Sequence, residues 1–123
     1  MRKIAATVIL MITLCGCSIS NVEQPRIVKS YHVKASWYEC CKKTANGEKF
    51  DPEGMTAAHR SLKFGTRLRV TNPSNGKSVI VRINDRGPFI KGVDLDVSRG
   101  AARHLDMIKK GHAKLLVDQL AHD

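Results

Sequence analysis

The nine residues VRINDRGPF, Val81 to Phe89, end a β-patterned run with an acid, a base, a glycine and a proline in close succession. If the period of two persists to the end of the run, Val79, Val81, Ile83 and Asp85 share one face, while Arg82, Asn84 and Arg86 share the other. Asp85 then continues an apolar face. Shielding of that kind is how a protein keeps a carboxylic acid protonated near neutral pH and makes it a general acid, provided that neighbouring cations point away. Gly87 and Pro88 would bend the chain and hold the acid at a rim. An aspartate ahead of Gly-Pro is also a common turn acceptor, and on this stretch alone both readings stand.

Two other segments are unusually polar for a small core: TANGEKFD, Thr44 to Asp51, with Glu48, and TAAHRSL, Thr56 to Leu62, with His59. Glu48, next to Asn-Gly, reads equally as an exposed turn acid, and His59 as a histidine satisfied by backbone groups. Asp94 and Asp96 precede a helical pattern, where acids favour the N-terminus, and read as structural.

The elements that must position these groups are mostly strands. YHVKASWY alternates Tyr31, Val33, Ala35 and Trp37 with His32, Lys34, Ser36 and Tyr38, the pattern of a half-buried strand. TRLRVT places Leu68 and Val70 inward, and the turn TNPSNGKS joins it to KSVIVRIN as a hairpin. Ser98 is an N-cap for a helix in which Ala101, Ala102, Leu105 and Ile108 share a face and which Gly111 ends; HAKLLVDQL closes the chain as a strand. Five or six short strands and one short helix are expected to close into a small barrel.

Ahead of this domain, MRK followed by IAATVILMITL is a basic head and a short apolar run, the pattern of an export signal over residues 1–16. LCGC, Leu14 to Cys17, looks like a bacterial lipobox, with Cys17 as the lipid-bearing residue. Residues 17–30 read as a tether and 31–120 as one domain. Loss of Arg2 and Lys3 removes two of ten net positive charges, so the mature chain stays basic and is drawn to anionic polymers or lipid surfaces. Outside the cytoplasm nucleic acid is not an expected partner. After cleavage only the adjacent Cys40 and Cys41 remain, too few for a disulfide framework, and the five histidines show no ligand spacing with them. No metal or cofactor is expected.

Together ASWY, TANGE, TAAH, VTN, VRINDRGPF and LDVS resemble the rare lipoprotein A (RlpA-like) family of septal lytic transglycosylases, in that family's order, from about Ala35 to Leu120. The resemblance implies a mainly β fold, a six-stranded double-psi β-barrel with one or two short helices, related to expansins and one family of endoglucanases. It implies cleavage of the β-1,4 bond between N-acetylmuramic acid and N-acetylglucosamine with 1,6-anhydro ends. Asp85 matches the active-site acid, serving as acid and then base; Glu48 and His59 match the two accompanying polar groups. Glu48 would stabilise ring charge or act on Asp85, and His59 would bond the sugar or orient a carboxylate. Tyr38, Trp37, Asn46 and Arg86 are the candidates for glycan contact, although a strand tryptophan is also a core residue. The implied partners are peptidoglycan strands and, through the lipid, a membrane, with the domain a monomer in the cell envelope. Ser18 after Cys17 favours the outer membrane, facing the periplasm.

Two departures from the family pattern stand out. ECCKK replaces a longer glycine-containing loop after Tyr38, and the chain stops at Asp123 without the glycan-binding C-terminal domain that many members carry, so septal targeting is not carried over. The rival reading is a non-catalytic, expansin-like wall binder; a purely structural envelope lipoprotein is a third.

Overall fold

The computed structural model describes residues 24–122; the expected signal segment, Cys17 and the first half of the tether lie outside them. Six strands, β1 (Ile27–Tyr38), β2 (Thr56–Ala58), β3 (Arg67–Thr71), β4 (Ser78–Asp85), β5 (Leu95–Ser98) and β6 (His112–Leu120), close into a barrel in the order β1-β5-β2-β4-β3-β6. The β1–β5 and β2–β4 pairs are parallel and the other four are antiparallel. Closure leaves no open sheet edge, which a domain of this size would otherwise have to protect. Among the described residues there is one helix, α1 (Arg99–His104).

The alternation of the strands builds the core. Ala35, Leu68, Val70, Val81, Ile83, Val97, Leu115 and Val117 all point inward and are fully buried; burial of each larger side chain contributes roughly 1.5–3 kcal/mol. The first strand starts at Ile27, inside the expected tether, because its ladder with β6 runs out to an Ile27–Leu120 pair. The β3–β4 hairpin forms where TNPSNG predicts it. Gly76, at φ 75°, supplies the left-handed turn residue. Asn72 and Asn75 each donate a side-chain amide to the Leu105 carbonyl, at 3.0 and 3.1 Å, and so tie the hairpin to the end of α1.

The helix is shorter than its apolar spacing predicts. Ser98 caps it, accepting from the Ala101 amide at 3.2 Å, but it ends at Leu105 because Asp106 turns to φ 58°. Ile108 therefore packs from a turn, and Gly111 lies in the connection to β6 rather than at the helix end.

A second departure decides where the candidate acid points. On β2 and β4, Ala57 pairs with Ile83, but Ala58 pairs with Asp85. Asn84 is the extra residue of a bulge, and both Ile83 and Asn84 are buried. A bulge resets the face of every residue after it. Asp85 therefore does not continue the apolar interior face, as the period of two predicts; it stands beside Ala58 on the outer side of the barrel wall.

Candidate active site

An open groove of about 370 Å³ runs along that outer wall. Its floor is set by strand register. Ser36 of β1 pairs with Asp96 of β5, Asp96 with Ala58 of β2, and Ala58 with Asp85 of β4, so four side chains stand in a row across four neighbouring strands. Tyr38 and Arg86 also line the groove, together with Cys40, Cys41, Lys43, Pro88, Phe89 and Ile90. Phe89 and Ile90 are 84% and 62% exposed, an apolar ridge with no protein partner to explain it.

Asp85 is held from three directions. Its Oδ1 accepts the main-chain amides of Ala45 at 2.8 Å and Arg86 at 2.9 Å, and its Oδ2 accepts the Tyr38 hydroxyl at 3.0 Å. Oδ2 is thus the oxygen with capacity left for the groove. Tyr38 is fixed in turn by a stack on Phe50, centroids 4.8 Å apart and 15° from parallel. Burial, then the charge and hydrogen bond of Asp85, push the Tyr38 phenol well above its ordinary 10.0, so it remains a neutral donor.

Among the described residues neither the Glu48 nor the His59 side chain bonds this carboxylate. Glu48 accepts both Arg82 guanidinium nitrogens at 2.6 and 2.9 Å, the Asn46 amide at 2.8 Å and the Asn84 amide at 3.2 Å. Those hydrogen bonds, from Arg82 first and then Asn46 and Asn84, draw its pKa down from 4.5 to about 2. With all four donors on it, Glu48 clamps the 44–48 turn to β4, and the Asn46 amide bonding to the Asn84 carbonyl at 3.2 Å completes the clamp. That is what brings the Ala45 amide to Asp85. In this arrangement Glu48 is engaged by Arg82, Asn46 and Asn84 as the clamp of the turn.

His59 turns back on its own loop. Its Nδ1 accepts the amides of Ser61 at 3.0 Å and Leu62 at 2.9 Å, which leaves the proton of the neutral ring on Nε2. Burial, then the charges of Arg60 and Arg86, lower its pKa below 6.5. Its main-chain amide donates to the Asp85 carbonyl at 3.2 Å, so His59 reaches the acid through backbone.

Of the four residues expected to contact a glycan, Tyr38 and Arg86 line the groove. Arg86 is tied down, donating to the His59 and Leu62 carbonyls at 3.2 and 2.7 Å with its guanidinium 3.8 Å from the Phe64 ring centre. Trp37 does not line it: the ring packs on the core and its Nε1 donates to the Ile108 carbonyl at 3.3 Å. Asn46 is engaged within its turn, with Thr44 and Glu48. Asp96 and the Phe89–Ile90 ridge are what sequence reasoning missed. The LDVS motif contained the signal for Asp96, because a strand that alternates Leu95 and Val97 inward must send Asp96 outward.

Cys40 and Cys41 are free thiols, both exposed on the groove wall. Among the described residues no three His, Cys, Asp or Glu side chains converge as metal ligands would. A larger cavity of about 600 Å³ lies elsewhere, beside α1, but its one carboxylate, Glu53, is paired with Arg99 and Arg103, which leaves it no free acid.

A closed six-stranded barrel of mixed strands with an acid-floored outer groove defines a double-psi β-barrel domain. Solved structures of that shape include a papain inhibitor from Streptomyces, with a TM-score of 0.65, 17% identity and coverage of 80% of this chain and 100% of the other. A Clavibacter michiganensis expansin gives 0.62 and 21%, over 77% and 52% of the two chains. At those identities the likeness is one of fold. Residues 30–117 match the family model described as lytic transglycolase, and the chain belongs to that family. It is 64% identical over 77 residues to a probable endolytic peptidoglycan transglycosylase RlpA of Nostoc sp., which covers 63% of this chain and 21% of the relative. Against the endolytic peptidoglycan transglycosylase RlpA of Neisseria meningitidis it is 46% identical over 89 residues, 70% of this chain and 37% of the relative. The chain thus spans well under half the length of these curated relatives.

Proposed function

We propose that this chain is a lytic transglycosylase that cuts peptidoglycan glycan strands between N-acetylmuramic acid and N-acetylglucosamine and leaves 1,6-anhydro-muramoyl ends. The reaction uses no water. A carboxylic acid protonates the leaving glycosidic oxygen, and a carboxylate takes the proton of the muramoyl C6 hydroxyl as that oxygen attacks its own anomeric carbon. Asp85 is the group that exchanges protons with the sugar, through Oδ2. Tyr38 holds it there; Glu48 and His59 fix the turn and loop that surround it. The observation that carries this reading is a carboxylate locked by two main-chain amides and a groove-lining tyrosine at the floor of an open, sugar-sized groove.

Incubation with peptide-free glycan strands, followed by mass spectrometry, is the test. Anhydro-muramoyl ends that vanish with Asp85→Asn support the enzyme. Binding without product makes the chain an expansin-like wall binder, and neither binding nor product leaves a structural role. The working location is the bacterial envelope, with a monomeric domain held at the outer membrane by lipid on Cys17; palmitate labelling that survives Cys17→Ala would overturn the anchor.

A further inference from the structure

We infer that Asp96 is a second catalytic acid of this groove, the one that protonates the leaving glycosidic oxygen, and that Asp85 is the base that takes the C6 hydroxyl proton. This rests on the reading above and divides between two carboxyls the work that a single one would do in turn.

Three observations converge on Asp96. It stands in the same row as Asp85, with only the methyl group of Ala58 between them. Two strand spacings put the two backbones about 10 Å apart, so a glycosidic bond laid along the groove is flanked by a carboxyl on each side, the arrangement on which glycoside cleavage generally relies. The two acids also differ in their partners. Asp85 accepts three hydrogen bonds. Asp96 accepts one, on Oδ1 from the Ser36 hydroxyl at 2.9 Å, and among the described residues its Oδ2 has none. The three donors on Asp85 favour its charged form, the form of a base, whereas Asp96 has a single donor to do so. Finally, burial raises the Asp96 pKa above 3.8; the Ser36 hydrogen bond opposes this and the negative charge of Asp85 adds to it.

The step balances. Asp96 gives its proton to the bridging oxygen as the C1–O4 bond breaks, Asp85 takes the proton from O6, and O6 forms the new bond to C1. One carboxyl loses a proton and the other gains one; exchange with water resets the pair.

The experiment uses the purified full chain and two substrates, peptide-free glycan strands and an aryl glycoside of N-acetylmuramic acid whose phenolate leaves without protonation. With Asp96→Asn, kcat on strands is expected to fall about 100-fold or more, with KM within about threefold, while the rate on the aryl glycoside stays near that of the unmodified protein. Asp85→Asn is expected to fail on both. If Asp96→Asn does not fold, Asp96→Glu supplies the same comparison, slowed on strands and unimpaired on the aryl glycoside. Equal losses on the two substrates would make Asp96 a structural residue, and full activity on strands would remove it from the reaction. Should the unmodified protein release no anhydro ends from either substrate, the proposed activity itself fails, and the role of Asp96 fails with it.

Discussion

Among the described residues the Tyr38 hydroxyl is the one side-chain donor on Asp85, and its ring is held independently by Phe50. Tyr38→Phe therefore removes a hydrogen bond and leaves the packing intact. Stability should fall by about 1 kcal/mol or less, while the rate of anhydro-product release drops at least about tenfold because Asp85 loses its orientation; a melt and a rate assay on the same sample separate the two. Phe89 offers the reverse case. At 84% exposure it has almost no burial to lose, so Phe89→Ala should leave the melting temperature unchanged. If the ridge stacks on the glycan, KM for strands rises several-fold with kcat held; an unchanged KM would take Phe89 out of substrate binding.

The bulge at Asn84 is the element on which the groove depends. Deletion of Asn84 would bring Asp85 directly after Ile83, still on the outer side by simple alternation, but would take the Asn84 amide from Glu48 and the Asn84 carbonyl from the Asn46 amide. The 44–48 turn should loosen from β4 and the rate of anhydro-product release should fall, and a deletion variant with full activity would take the Asn84 contacts out of the account of how the Ala45 amide reaches Asp85. At the other end of β5, Ser98 is fully buried, caps α1 and donates to the Gly54 carbonyl. Ser98→Ala should cost about 1–2 kcal/mol, seen as a fall of several degrees in Tm. Gly100 behind it has no room for a side chain, since a Cβ would lie 2.5 Å from the Glu53 carbonyl oxygen. Helix start and the loop before β2 are thereby locked together.

For the whole molecule, pH acts through the two supporting groups. Glu48 titrates at about 2 in the folded chain against 4.5 when free, so its contribution is complete above pH 4.5 and is lost as pH falls toward 2. The Arg82–Glu48 pair is partly exposed, at 42% and 39%, which limits that contribution to ~1 kcal/mol. Glu48→Gln should flatten the acid limb of a Tm-against-pH curve. The folded pKa of His59 lies below 6.5, so protonation favours the unfolded chain and stability declines as pH drops below 6.5. His59→Asn retains an acceptor for the loop amides and should remove that slope; a slope unchanged in the variant would place its origin elsewhere. The excess of lysine and arginine predicts wall binding that weakens as salt rises, measurable by co-sedimentation with sacculi.

Local chemistry was legible in the residues themselves. Alternating strands, the Asn-Gly turn, the Ser98 cap and the order of the polar motifs follow from side-chain periodicity and backbone preference, which act over a few neighbours. What each acid faces depends instead on pairing between strands far apart in the chain. A single extra residue at Asn84 moved Asp85 from the inner to the outer side of the wall, and the register of β5 between β1 and β2 brought Asp96 into the same row. The same long-range contacts drew Glu48 onto Arg82, and the local loop drew His59 onto its own amides. No pattern along one strand records the register of its neighbour, because that register is chosen by closure of the whole barrel.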